Sequence, residues 1–247
     1  MRVVLDQHGL GGIFGVFHGT LAQLFFVLIC AIAVFTGAWW TGLGNRSEHP
    51  LAWLRFAYLA VTLLILGQLI LGATMRHQHA GLAIPDFPLA YNKIWPDLSP
   101  DAISNYNQHR VETVAYAPIT AFQVGLQMIH RLLAFLILIA VAMAFWLTAR
   151  MDGAWRVLKK LTALWLSLIV LQVFLGAATI WTKKSADIAT AHVAVGALSL
   201  LTGSLLTLVS FRLLAPVSIP GLAPESFRGN RGITGGTGPL EATTRPG

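Results

Sequence analysis

Phe122-Gln-Val-Gly-Leu-Gln-Met-Ile-His-Arg-Leu-Leu-Ala-Phe-Leu-Ile-Leu-Ile-Ala-Val-Ala-Met-Ala-Phe-Trp-Leu-Thr-Ala149 carries a single formal charge, Arg131. An α-helix rises about 1.5 Å per residue, so this stretch outreaches the roughly 30 Å of hydrocarbon in a bilayer. Lipid offers no partner to backbone N–H and C=O groups, so such a run must be helical. Four further runs read the same way, at Gly19–Thr41, Trp53–Met75, Val157–Thr182 and Ala189–Leu214. The expectation is an all-α, polytopic transmembrane helical bundle of five spans.

Composition agrees. Of 247 residues, 55% are hydrophobic and 11% charged, with a mean hydropathy of +0.67. Soluble domains carry about 25% charged residues, so most of this surface faces lipid. The net charge of +7 does not read as nucleic-acid binding, because the basic residues lie in the links and tail between apolar runs. The single cysteine, Cys30, excludes an internal disulfide and reads as a small apolar residue. The first apolar run lacks the basic flank and cleavage site of a signal peptide.

The links suggest an orientation. Arg46, Arg150, Arg156, Lys159, Lys160 and Arg212 fall on one side, with Arg228, Arg231 and Arg245 in the tail and Arg55 just inside the second span. Arg2, Arg76, Lys93, Arg110, Lys183 and Lys184 fall on the other, diluted by Asp6, Asp86, Asp97, Asp101, Glu112 and Asp187. The positive-inside rule makes the first side cytoplasmic and puts the amino terminus and loop 76–120 outside. Lys183 and Lys184 lean the other way. That loop, with Phe87, Tyr91, Trp95, Tyr106, Tyr116 and several prolines, is expected to pack over the outer helix ends. Residues 215–247, rich in Pro, Gly, Ser and Thr, read as a disordered cytoplasmic tail.

Two echoes run through the chain. Gln68-Leu-Ile-Leu-Gly72-Ala is matched by Gln172-Val-Phe-Leu-Gly176-Ala, and Phe17-His18-Gly19 by Ala191-His192-Val193. Repeated polar-plus-small patterns suggest close helix packing and an incomplete duplication. Among eight histidines, His18, His130 and His192 fall within or at the ends of spans, where an ionisable residue points to function. His18 and His192 read as about one turn from their span ends and His130 as about two, so all three fit one layer of the outer half. Neutral imidazoles on separate helices can clamp a haem iron; the plainer reading is that each hydrogen-bonds a neighbouring helix. Arg131 suits a haem propionate or snorkels to headgroups. Gln127, one turn before His130, cannot serve as the general base that a Glu there would be. His77 and His79 would share a face on a strand, a weak sign of a metal.

Gln68-Leu-Ile-Leu-Gly-Ala-Thr-Met-Arg76, Gly81-Leu-Ala-Ile-Pro-Asp-Phe-Pro88, Gln127-Met-Ile-His-Arg131, Gln172-Val-Phe-Leu-Gly176 and Ala191-His192 together resemble, in order and spacing, the haem A synthase family of cytochrome oxidase assembly proteins. The resemblance covers residues 1 to about 214; Phe87 stands where the family more often has Trp. It implies eight spans in two four-helix halves, each with a histidine pair. Residues 1–50 then hold the last helix of the first half, and residues 51–214 the second half, where His130 and His192 would bind haem b. His18 would be the remaining ligand of the first-half site, where the methyl of the substrate haem O is oxidised to a formyl with a Glu one turn before the first histidine. The stretch Met1-Arg-Val-Val-Leu-Asp6 resembles the end of the third span. The chain is therefore expected to lack three helices and to be inactive alone, the full-length protein being the oxidoreductase of the cell's inner membrane. Expected partners are haem, membrane lipid, and a second copy or cytochrome oxidase assembly partners; nucleic acid is not expected. Two other readings stand beside it. One is a b-type cytochrome moving electrons from quinol without synthase activity. The other is a transporter or assembly factor with packing histidines, for which mid-membrane helix breaks would be the sign.

Overall fold

In the computed structural model, residues 10–44, 47–109, 118–153 and 155–215 are described. Helix α1 (Leu10–Thr36) ends where Gly37 turns extended, and a short α2 (Ala38–Thr41) follows. Strand β1 (Ser47–Glu48) leads to α3 (Leu54–His77), a 3-10 turn (Ala80–Leu82) and α4 (Pro100–Gln108). Then come α5 (Ala121–Ala149), α6 (Arg156–Trp181), α7 (Ala186–Leu213) and β2 (Leu214–Ala215). Five of the helices are long and apolar enough to cross a membrane, and the chain is a multi-pass helical membrane protein. The last four spans start and stop within about three residues of the sequence expectation. The first does not: it was expected at Gly19–Thr41 but runs Leu10–Thr36. A histidine among glycines does not interrupt a helix whose backbone must be satisfied internally. The sequence limits had been set by side-chain polarity alone. Residues 1–9 and 216–247, including the tail expected to be disordered, lie outside the described residues, as do Arg46, Arg110 and Tyr116.

Four helices close a ring: α3 packs on α5, α5 on α6, α6 on α7, and α7 on α3. Helix α1 lies outside this ring against α3 and α7, with Phe14, Phe17, Phe25 and Leu28 exposed. Hydroxyls within spans bond the carbonyl one turn back, as Thr162 does to Leu158 (2.8 Å) and Thr202 to Leu198 (2.8 Å). That satisfies them without a partner from lipid.

The arginine-bearing end of the ring is tightly interlocked. Trp165 is fully buried, donates from Nε1 to the Ser199 carbonyl (2.9 Å), and lies edge-on to Tyr58. The Tyr58 and Thr148 hydroxyls share a hydrogen bond of 2.5 Å. Gly203 makes room for this: a Cβ there would fall 2.7 Å from both Trp165 Cζ2 and Thr62 Oγ1. Strands β1 and β2 pair in parallel, Ser47 with Leu214 and Glu48 with Ala215, tying the approach to α3 to the end of α7. Arg55, Arg150 and Arg212 lie over the rings of Phe56, Trp146 and Trp40 respectively.

At the opposite end the loop between α3 and α5 packs on the bundle, as expected. Ala83, Ile84, Ala90 and Ile119 form one apolar cluster with Val124 and Met128 of α5. Trp95, expected to pack there, is instead half exposed, beside the exposed Ile94.

Candidate functional site

Helices α5 and α7 stand diagonally across the ring, and each carries one of the histidines singled out from sequence. His130 lies nine residues into α5, and His192 six into α7, both toward the loop end. Their imidazoles are within electrostatic reach of each other. Each has a buried Nδ1 with no hydrogen-bond partner. Buried polar atoms are nearly always satisfied, because an orphan costs about 1–3 kcal/mol. Two buried imidazole nitrogens without partners, on diagonal helices, set this end of the ring apart.

The other diagonal supplies the space. A Cβ on Gly72 of α3 would fall 3.4 Å from His130 Cε1, and one on Gly176 of α6 3.2 Å from His192 Cε1. Each ring thus lies against bare backbone. Helices α3 and α6 run opposite to α5 and α7, and one turn deeper each carries a glutamine. Gln68 Nε2 donates to the His130 carbonyl (2.9 Å). The Gln172 backbone carbonyl is a hydrogen-bond acceptor for the His192 ring, and the Gln172 Nε2 lies 3.1 Å from where a Cβ of Gly196 would stand. Both amide oxygens are buried without partners. The sequence echo is thus a spatial one, two Gln-x-x-x-Gly helices each facing a histidine helix. From sequence it read as helix packing and an incomplete duplication; its signal for the site was the recurrence of the spacing.

One stripe of α5 holds the loop. Gln123 Nε2 donates to the Gln78 carbonyl (2.6 Å), while its Oε1 closes a capping box with Thr120. Gln127, 2% exposed, accepts from the Ile84 N–H (2.7 Å) and donates to the Gly81 and Ile84 carbonyls (3.3 and 3.4 Å). Arg131 donates through its terminal nitrogens to the carbonyls of Asp86 (2.7 Å) and Leu89 (2.9 Å). Residues four apart align on one helix face, a pattern the sequence reading missed although the i, i+4, i+8 spacing carried it. Of the two roles foreseen for Arg131, propionate contact and snorkelling, neither describes these bonds; its Nε remains buried and unpartnered. Phe87 lies 5.5 Å under the Arg131 guanidinium and edge-on to Trp181 of α6, so the loop reaches across two helices. Asp86 accepts from the backbones of Tyr91 (2.7 Å) and Asn92 (2.8 Å), and the Tyr91 hydroxyl donates to the Ala83 carbonyl. Further out, the Ser99 N–H bonds Asp97 Oδ1 (2.8 Å) and holds that carboxyl below its ordinary value of 3.8.

His18 is exposed on α1, eight residues past Leu10 and so about two turns in, not one. The structure places His130 and His192 toward the same end of the ring and leaves His18 exposed on α1. Among the described residues no group of three or more His, Cys, Asp or Glu is placed to hold a metal. His77 and His79 do not share a strand face: His77 closes α3, and His79 follows in a left-handed conformation. The His77 ring fills the notch left by Gly15 of α1.

Two neutral imidazoles on separate helices of a bundle are a donor set that fits a haem iron. Comparison with known proteins gives this arrangement a context. The family model described as cytochrome oxidase assembly protein matches residues 18–204. Heme A synthase COX15 of Arabidopsis thaliana is 30% identical over 213 residues, which are 81% of this chain and 44% of that protein. Heme A synthase of Listeria welshimeri is 28% identical over 139 residues, 56% of this chain and 38% of its own length. The chain thus spans less than half the length of these curated relatives. No solved structure matches it. The breadth of the family match shows that this chain belongs to the haem A synthase family of cytochrome oxidase assembly proteins.

Proposed function

We propose that residues 51–214 form a haem-binding unit of a membrane oxidoreductase of haem A biosynthesis, in which His130 and His192 would hold one haem b. The observation that carries this reading is the pair of orphaned imidazoles on diagonal helices, each backed by a glycine. Family membership supplies the reaction class, oxidation of the haem O methyl to a formyl. When bound, haem b supplies one-electron transfer.

The residues of the chain do the rest. Gly72 and Gly176 let the imidazoles lie close to α3 and α6 and fix their planes. Gln123, Gln127 and Arg131 hold the loop across the end of the ring, where it shields the site from water. Arg131 keeps one nitrogen, Nε, for a propionate. His18 is the remaining ligand of the substrate haem site. The sequence has no Glu-x-x-His, so this chain alone is expected to bind haem without converting haem O. The arginines stacked on aromatic rings at the other end support a cytoplasmic placement for that end, leaving the loop outside.

A reduced-minus-oxidised spectrum of the detergent-purified chain tests this, beside His130→Ala and His192→Ala. A low-spin b-type signal lost in each variant is expected; a folded wild-type chain that takes up no haem would sink the proposal. The alternative, a b-type cytochrome without synthase activity, rests on the same pair. Quinol-linked reduction without haem O conversion, in a protein with both four-helix halves, would favour it.

A further inference from the structure

We propose that Gln68 and Gln172 are positioning residues for the two histidines: each amide oxygen accepts the Nδ1–H of its own histidine, His130 for Gln68 and His192 for Gln172, when Nε2 is given to iron. This inference rests on the proposed haem site and deepens it. Its basis is a matching inventory. Apart from Arg131 Nε, the site's buried polar atoms without partners are two imidazole Nδ1 and two glutamine Oε1. The first two can donate and the last two can only accept, so they complement one another in number and kind.

Position agrees with chemistry. Gln68 is already fastened to His130, since its Nε2 donates to that residue's carbonyl (2.9 Å). This bond settles which end of the amide is nitrogen and leaves Oε1 beside the same residue. The Gln172 backbone carbonyl already accepts from the His192 ring, which brings the Gln172 residue to it. Its amide lies against Gly196, one turn beyond His192 on α7. Both glutamines precede by four residues the glycine against which the imidazole lies. The same device therefore occurs twice, once for each ligand.

A metal-bound histidine nearly always donates its second ring nitrogen to an acceptor, which fixes the tautomer, orients the ring and raises its basicity. Span carbonyls are mostly engaged within their own helices, whereas a side-chain oxygen can be aimed at a ring nitrogen. A glutamine oxygen at each histidine meets the need without burying a charge. A more basic axial imidazole stabilises ferric over ferrous iron, so these two amides set the site's midpoint potential low.

The test is a redox titration of the haem-loaded, full 247-residue chain, with Gln68→Leu, Gln172→Leu and the double variant. Each single change is expected to raise the ferrous-to-ferric ratio at fixed ambient potential about tenfold, which is 59 mV for a one-electron couple. Haem retention is expected to weaken by roughly 10–100-fold. The double variant should shift about twice as far. Gln23→Leu removes another buried, unpartnered amide oxygen, on α1, and is expected to leave the potential unmoved. If a leucine variant loses its haem altogether, Gln68→Glu and Gln172→Glu decide at pH 9, where a carboxylate is charged. A recovered spectrum with a potential below wild type supports the proposal; a recovered spectrum at the wild-type potential overturns it. A wild-type chain with the two-histidine spectrum, and leucine variants with unchanged potential, would defeat this inference and leave the haem site standing. A wild-type chain without that spectrum removes the haem site itself.

Discussion

The two ends of the four-helix ring use the same residue types to opposite effect. At the arginine end, Gly203 is met by Trp165 and Thr62, Trp165 finds the Ser199 carbonyl, and Tyr58 finds Thr148. These groups have partners within the protein, although Arg55 Nε and Arg212 Nε at the same end have none. At the loop end, Gly72 and Gly176 are met by imidazoles, and four polar atoms around them have none. A protein interior is close-packed and its buried polar groups are paired unless a site requires otherwise. The first end closes round its aromatic and hydroxyl groups, and the second leaves imidazole and amide atoms open, as the proposed haem site requires. Glycine alone does not tell them apart; what fills the notch does.

The contrast can be broken most forcefully at Trp165. Trp165→Ala removes the largest fully buried side chain and is expected to cost about 3–5 kcal/mol, read by denaturant unfolding in detergent. If His130 and His192 still bind haem in the fraction that folds, the two ends are separable. Gly203→Ala comes next. A new Cβ at 2.7 Å from Trp165 overfills the core at a cost of about 1–3 kcal/mol, with haem affinity per folded molecule unchanged. Gly176→Ala is the mirror experiment. Its Cβ would meet His192 at 3.2 Å, a contact the ring can relieve by a small rotation, so stability should fall by less than about 1 kcal/mol while haem affinity drops several-fold. Equal stability losses at Gly176 and Gly203 would erase the distinction drawn here. The smallest effect is expected at Asp97, in the outer loop. Its carboxyl is held below 3.8 chiefly by the Ser99 N–H, so the charged form favours the folded loop. That contribution is fully present above pH 3.8 and fades as pH falls through the lowered folded value. Asp97→Asn should flatten this acid-side slope in hydrogen exchange of the loop and leave the spans untouched.

Much of the architecture was legible because lipid enforces a simple rule: long apolar runs must be helices. Phe122–Ala149 announced α5 to within one residue. The order of helices around the ring was not legible, since spans apolar on most faces do not declare their neighbours. His130 and His192 could be singled out because ionisable residues are rare in spans. The roles of Gln68 and Gln172 could not, because a glutamine between helices reads as packing until its partner is known. Arg131 was undecidable for a related reason: its acceptors are loop carbonyls more than forty residues away in sequence, and any residue type can offer a carbonyl. His18 was set too shallow because a polar side chain was taken for a helix end.

The stripe Gln123, Gln127 and Arg131 grips its loop almost wholly by the main chain. A grip of that kind recognises a path, not an identity. The outward side chains along residues 78–89 can be exchanged with little penalty provided the chain still passes the same five backbone stations, whereas Ala83 and Ile84 are buried against α5 and Asp86 caps the turn at Tyr91 and Asn92. Adding or deleting one residue would put the stations beyond it out of step at once. In this segment, length and those few inward side chains are the instruction.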